Sequence, residues 1–518
     1  MNEIKNYNLP EHINTLHEVE ALSSMELARE IADKINELVR AYNSLRSGDL
    51  RWKQAQEGII RKGVIYMKDN LINSLADLLS IYDKELVGNL VIQKFDNLFV
   101  TPQKFGAVGN GVKNDIEAIE KAIASLDEGG VLYFPPGTYL MEGRPVSITR
   151  KNVTFIGGGL ILCDYGFRPL ASGFTAQGMR MEALGYSQEN RAFMIDNSKT
   201  NGDRSKYVEN FTFKDCSFKN FFYSVYASGG SYSYDGTEAL AGFPVRDIVI
   251  ENCHSVTYTN QNAGHFQCIQ VENISYINNR TFGGQNASSY NAIKGNGQIR
   301  VIGNYDMNNS YASCEIENGS GKAVIANNTF GRKIWIDDSH DVVVTGNYVG
   351  DNINVTVGSD NGDAINIIIS NNRCSAIRCE QFGEYLGGII RNVNIIGNIV
   401  RGSGTHQIWV HGNAVEKVNI CNNFMTGTAT NAISVQRNEQ LTCYIQGNFG
   451  NGKTLLIAGS GGKVFALDNY DINVSGIRDS LPVSHYEREF NGVKITDEDG
   501  ISWRLGVSTS GTVGAIKY

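Results

Sequence analysis

A chain of 518 residues exceeds what one ordinary compact core holds, so it calls for several domains or a repeat architecture. Hydrophobic residues at 42% and charged residues at 19% read as ordered protein, and a formal net charge of −8 excludes the basic surface of a nucleic-acid binder and disfavours extended docking on a polyanion. Against 56 glycines stand only 8 prolines, a balance suited to short strands joined by tight turns. No apolar run approaches the length of a membrane span, and the opening MNEIKNYNLPEHIN has no apolar segment of a secretory signal. The 9 cysteines are scattered singly in no zinc-binding spacing, which predicts buried reduced thiols, no metal and no cofactor.

Residues 1–94 form the first region. Leu16, Leu22, Leu27, Ile31, Ile35, Leu38, Val39, Tyr42 and Leu45 recur at helical intervals, and Ile59, Ile60, Val64, Met67, Leu71, Leu75, Leu78 and Leu79 do so again. Neither stretch can bury its apolar stripe alone, so the same helices of other subunits are the expected partners. Composition changes near Phe95. Residues 95–160 hold an entry module that runs Lys104-Phe-Gly-Ala-Val-Gly-Asn-Gly-Val-Lys-Asn-Asp115, a helical Ile116–Ala124, then Gly129-Gly-Val-Leu-Tyr-Phe-Pro-Pro-Gly-Thr-Tyr-Leu140. This module resembles the entry of the pectate-lyase-like superfamily, in which the short helix caps a right-handed parallel β-helix. Asn110 and Asn114 stand where that pattern has aspartates, at positions that are structural.

A repeat is visible in residues 161–482 without the resemblance. β-Branched residues followed by asparagine recur at Asn252, Asn304, Asn328, Asn347, Asn372, Asn398, Asn423 and Asn448, with a weaker echo at Asn469. From Asn304 to Asn448 the steps are 24, 19, 25, 26, 25 and 25 residues, a β-solenoid coil rather than a propeller blade. Asparagine suits the corner because it tolerates the left-handed conformation and its amide can ladder from coil to coil. Residues 483–518 read as three strands joined at Asp499-Gly500 and Ser510-Gly511, a small β-hairpin module. The fold class is therefore mainly β: a parallel β-helix with an N-terminal α-helical region and a C-terminal β module.

Equivalent positions on successive coils stack about 4.8 Å apart, so an alignment of coils predicts outward columns. One column reads Ala292, Glu315, Trp335, Asn354, Arg378, Trp409, Ser434. Its neighbour reads Lys294, Glu317, Asp337, Thr356, Glu380, His411, Gln436. Trp335 and Trp409 on rigid strands invite the apolar faces of sugar rings, with Arg378, His411 and Asn354 as polar contacts. Glu317, Asp337, Glu380 and Glu315 are the candidate catalytic carboxylates: neighbouring coils suit a retaining separation and more distant coils an inverting one. A subunit interface or a non-catalytic glycan groove would use the same face. His254, His265 and the tyrosines 223, 226, 232 and 234 mark two further polar or aromatic stretches.

N-terminal helices, entry module, solenoid and terminal hairpin together resemble the tailspikes and preneck appendages of short-tailed phages. The resemblance implies a homotrimeric virion protein, made without a signal peptide, whose helices join other tail or connector proteins. Its solenoid would engage a bacterial surface glycopolymer, either capsular polysaccharide or wall teichoic acid, and hydrolyse it. A non-catalytic receptor-binding spike and a secreted pectate-lyase-like lyase are the competing readings.

Overall fold

The computed structural model describes residues 99–476 except 186, 188–189, 197–206, 230–244, 258–263, 270, 285, 292–296, 318–321, 358–361 and 382–387, together with three strands of the tail. The helices expected within 1–94, and Tyr232, Tyr234, Ala292 and Lys294, lie outside the described residues.

The entry module begins with a short turn, Pro102–Phe105, and the helix Ile116–Ala124. Ile116, Ala118, Ile119, Ala122 and Ile123 are buried and join one end of the solenoid core. The loop ahead of the helix closes on Asp115, whose buried carboxylate accepts the amides of Val108 (2.7 Å) and Gly109 (3.1 Å). Asn110, at a departure from the superfamily pattern, keeps a structural duty by accepting the amides of Val112 and Lys113 at 3.0 Å.

Among the described residues from Asn110 to Gly476 every strand pairing is parallel, and successive coils wind a right-handed β-helix with three faces. The first face is a sheet of fourteen strands, running from Val131–Phe134 to Lys463–Leu467. The second carries short strands such as Tyr305–Met307 and Tyr348–Val349, and the third carries longer ones such as Ala312–Glu317. Inward side chains stack in columns. Phenylalanines fill the early coils, with Phe193 and Phe213 4.9 Å apart between ring centroids. In later coils Ile367, Val393, Val418, Cys443 and Val464 follow one another on the first face. Eight of the nine cysteines are buried free thiols and Cys421 is partly exposed, as the scattered spacing predicts.

The corner between the first and second faces divides between two residues the tasks that the sequence reading gave to one. The left-handed conformation belongs to the residue before the ladder asparagine: Asn371 (φ 56°), Gly397 (67°), Asn422 (56°) and Gly447 (67°). The ladder asparagine itself is buried. Asn372 Nδ2 donates to Val344 O and to Asn398 Oδ1, while its Oδ1 accepts the backbone and side-chain N–H of Asn347. The same pattern links Asn279, Asn304, Asn328, Asn347, Asn372, Asn398, Asn423, Asn448 and Asn469. Two lone pairs and two donors per amide are thereby satisfied away from water.

In the tail, Lys494–Thr496, Ser502–Val507 and Val513–Lys517 form an antiparallel three-stranded sheet. Among the described residues no helix is long and apolar enough to cross a membrane.

Candidate functional site

The candidate site lies on six consecutive strands of the third face: β1 (Ala312–Glu317), β2 (Lys333–Asp337), β3 (Ile353–Val357), β4 (Ile377–Gln381), β5 (His406–His411) and β6 (Asn431–Arg437). Cα pairing runs Glu315, Trp335, Asn354, Arg378, Trp409, Ser434 in one column. Asp337, Thr356, Glu380 and His411 follow in the next. Glu317 ends β1 one residue past the Ile316–Ile336 pair, level with Asp337. One rung corrects the sequence reading. The partner of Glu315 on the preceding coil is Ser289, not Ala292, so that coil sits three residues earlier.

The lower part of these columns is acidic and closely packed. Glu315 is 6% exposed and Asp337 4%, so both carboxylates are far more covered than an outward position on a bare face would be. Trp335 Nε1 donates to Thr356 Oγ1 (2.6 Å), and Thr356 Oγ1 donates to Asp337 Oδ1 (2.5 Å). This relay fixes the orientation of the Asp337 carboxyl group. Glu380 stands two rungs away on the far side of Thr356, about 9.6 Å at the backbone. Two residues absent from the predicted set complete the arrangement. Lys333 Nζ lies 3.6 Å from the Tyr311 ring centre and 4.1 Å from that of Trp335. Burial lowers the Lys333 pKa against the pull of Glu315, while burial and then Glu315, Glu317 and Asp337 raise that of the Tyr311 phenol. Lys333 could be found by extending the alternation two residues back from Trp335; Tyr311 precedes its strand and carries no such signal.

The upper part is aromatic and cationic. Trp409 lies between His406 (5.3 Å) and His411 (5.0 Å), and the Arg378 guanidinium sits 5.8 Å from its ring centre. Asn431 Nδ2 lies 3.0 Å from His406 Nδ1. Burial, then Arg378 and His411, lowers the His406 pKa, keeping that ring neutral to lower pH than usual. Between the two parts sits Asn354, 8% exposed, whose buried Oδ1 accepts no hydrogen bond among the described residues.

The column also continues downward. Ser289 pairs with Gln267, and Gln267 with Tyr226. Tyr226 and Tyr223 lie 5.5 Å apart, with the Arg191 guanidinium 4.8 Å from the Tyr226 ring centre. Tyr223 and Tyr226 and the carboxylates, separate features in the sequence, therefore share one face, with Tyr226 three rungs from Glu315. The two histidines differ in burial. His254 is exposed on the second face, whereas His265 is buried, in contact with Ser255 Oγ through Nδ1 (2.6 Å) and with Gly283 O through Nε2 (2.9 Å). Among the described residues no group of three or more His, Cys, Asp or Glu is placed to hold a metal ion.

With that geometry in view, residues 99–330 match the family model "Rhamnogalacturonase A/epimerase, pectate lyase-like". The pre-neck appendage protein of Bacillus phage B103 is 26% identical over 276 residues, 46% of this chain and 28% of that protein. That of Bacillus phage phi29 is 26% identical over 287 residues, 49% and 31% respectively. This chain carries a pectate-lyase-like β-helix related to phage pre-neck appendage proteins. The match spans under a third of those relatives' length. Among solved structures, pre-mature bacteriophage phi29 gene product 12 aligns with a TM-score of 0.46 and 17% identity over 76% of this chain and 59% of that one.

Proposed function

We propose that this protein is a phage tail appendage whose third face binds a bacterial surface glycopolymer along the solenoid axis and hydrolyses it. The observation that carries the reading is the order of chemistry on that face: an acidic centre with an aromatic–cationic patch on either side. Tyr223, Tyr226 and Arg191 lie below Glu315, Glu317 and Asp337, and Arg378, Trp409, His406 and His411 lie above. Sugar rings stack on exposed aromatic surface. Asp337, fixed by Thr356, would act as base or nucleophile, with Glu317 on the next coil or Glu380 two coils away as the acid, and Glu315 as further charge at the centre. A polymer held on both sides of the carboxylates is cut internally. Attachment to the virion through residues 1–94, and assembly as a homotrimer, belong to the same proposal and rest on the relatives' identity as phage appendages.

The test is to incubate the purified protein with host capsule or cell-wall polymer and size the fragments. Internal cleavage gives an early drop in mean polymer length; Asp337→Asn, and whichever of Glu317→Gln and Glu380→Gln removes the acid, each slow it by about 100-fold or more with binding retained. Polymer that is bound and unshortened sinks hydrolysis. The close burial of Glu315 and Asp337 favours that second reading, a receptor-binding spike without catalysis.

A further inference from the structure

Part of the third face's geometry is set from inside the solenoid. On the inward side of the second face, three successive rungs are polar: Ser255, Thr281 and Asp306 stand between Phe218 and Phe330. Asp306 is 1% exposed. Its Oδ1 accepts the Thr281 hydroxyl (2.6 Å), its Oδ2 accepts the Asn309 side-chain N–H (3.0 Å), and Ser313 is its third hydrogen-bond partner. All three partners are neutral, so burial outweighs them and raises the carboxyl pKa from 3.8 to about 7. From the first face the Tyr276 phenol looks toward it, itself pushed up by burial, with the Cys253 and Cys314 thiols beside that phenol. His265 reaches only Ser255, two rungs below. Exposed Arg332 donates its Nε to Asn309 O (2.8 Å).

We infer that Asp306 is a positioning residue for the third face: through Asn309 and Ser313 it holds Tyr311 against Lys333 and Trp335. The connection is short. Asn309 Nδ2 also donates to Ala312 O (3.2 Å) at the start of β1, and Ser313 Oγ accepts the amide of Arg332 (2.9 Å), the residue before β2. Tyr311 lies between Asn309 and Ser313 in the chain, its ring 5.4 Å from that of Trp335 and 3.6 Å from Lys333 Nζ. The neutral carboxyl is the form this corner favours. Its folded pKa stands above the unfolded value, so its contribution is complete below pH 3.8 and is lost as pH rises through 7. Above that pH a buried charge without a counter-ion draws water toward the corner. The turn that carries Tyr311 is the side that yields, because Asn308 and Ser310 flank Asn309 at the surface whereas Thr281 is buried in the core. The consequence for a polymer rests on the function proposed above; the consequence for Trp335 does not.

The experiment follows Trp335 fluorescence in the full chain from pH 5.5 to 8.5, as the difference between the native protein and Trp335→Phe. The Kd for purified host cell-wall or capsule polymer is measured over the same range. The expected result is an emission step centred near pH 7 and a Kd that rises by about tenfold across it. Asp306→Asn cannot ionise. Its amide nitrogen can turn to Thr281, whose hydroxyl then accepts, and its oxygen still faces Asn309, so the low-pH emission and affinity persist at every pH. Asp306→Ala has neither bond and shows the high-pH values throughout. A step that survives in Asp306→Asn overturns the inference, and so does a native protein without a step. Asp306→Ala that matches the native protein at pH 5.5 overturns it as well. An emission step with a pH-independent Kd removes Asp306 from the binding site's control. Polymer that is bound at no pH sinks the proposed function instead, while the Trp335 step still decides whether Asp306 positions Tyr311.

Discussion

At the scale of single residues, the corner shows how one coil dictates the next. Residues before the ladder asparagines alternate: Asn278, Gly303, Asn327, Gly346, Asn371, Gly397, Asn422, Gly447. All take positive φ, which Asn tolerates and Gly adopts freely. The alternation itself has a second cause. A Cβ on Gly397 would fall 2.8 Å from Asn371 Oδ1, on Gly346 2.6 Å from Asn327 Oδ1, and on Gly447 2.3 Å from Asn422 Oδ1. Each asparagine amide leans over the coil that follows, and only a glycine there leaves room. Gly397→Ala is therefore expected to destabilise by about 2 kcal/mol, and Asn371→Gly to relieve part of that cost in a double-mutant cycle read by denaturant unfolding. Strict additivity of the two substitutions would remove the amide from the explanation.

At the scale of elements, the asparagine ladder ties strands of three faces into coils of fixed height. Asn372→Ala deletes both donors to Val344 O and Asn398 Oδ1, and leaves the N–H groups of Asn347 without their acceptor in a buried corner. The expected cost is about 3 kcal/mol, more than one net hydrogen bond, because orphaned buried groups lose their water as well. Loss of amide-exchange protection at Asn347 and Asn372, with more distant coils unaffected, would show the effect to be local, as a stack of nearest-neighbour coils requires. The site is legible at this same scale. The corner asparagines set the register of β1 to β6, so the sequence alone lines up Glu315, Trp335, Asn354, Arg378 and Trp409. The preceding coil resisted because its strand, Asn286–Asn291, reads Asn-Ala-Ser-Ser-Tyr-Asn and has none of the β-branched alternation that marks its neighbours. Ala292-Ile-Lys294 offered that pattern and attracted the alignment.

At the scale of the whole molecule, two buried titratable groups pull stability in opposite directions with pH. Burial lowers the His265 pKa from 6.5 to about 4, so the unfolded chain takes up a proton that the folded chain refuses. Its contribution is present above pH 6.5 and drains away as pH falls toward 4, by ~3 kcal/mol in all. Burial, only partly offset by hydrogen bonds from Ser313, Thr281 and Asn309, raises the Asp306 pKa from 3.8 to about 7. Its contribution is full below pH 3.8 and is lost as pH rises through 7, by a similar amount. The two nearly cancel in the native protein. Asp306→Asn should expose the histidine, giving stability that falls on acidification from pH 6.5 to 4; His265→Gln should expose the aspartate, giving stability that rises over the same range. Unfolding midpoints across pH 4–8 decide it, and parallel profiles for the two variants would refute both assignments.

The sequence by itself determined the solenoid, its coil length, the entry helix and the outward columns, because each follows from a short-range pattern repeated at fixed spacing. Only the tertiary structure decided how those columns are used. Burial of Glu315 and Asp337, the Trp335–Thr356–Asp337 relay, the Lys333 ammonium between two rings and the joining of Tyr226 to the carboxylate face all depend on contacts between coils. Such contacts are set by side-chain packing across residues some 20 to 40 apart, and no periodicity in the chain encodes them.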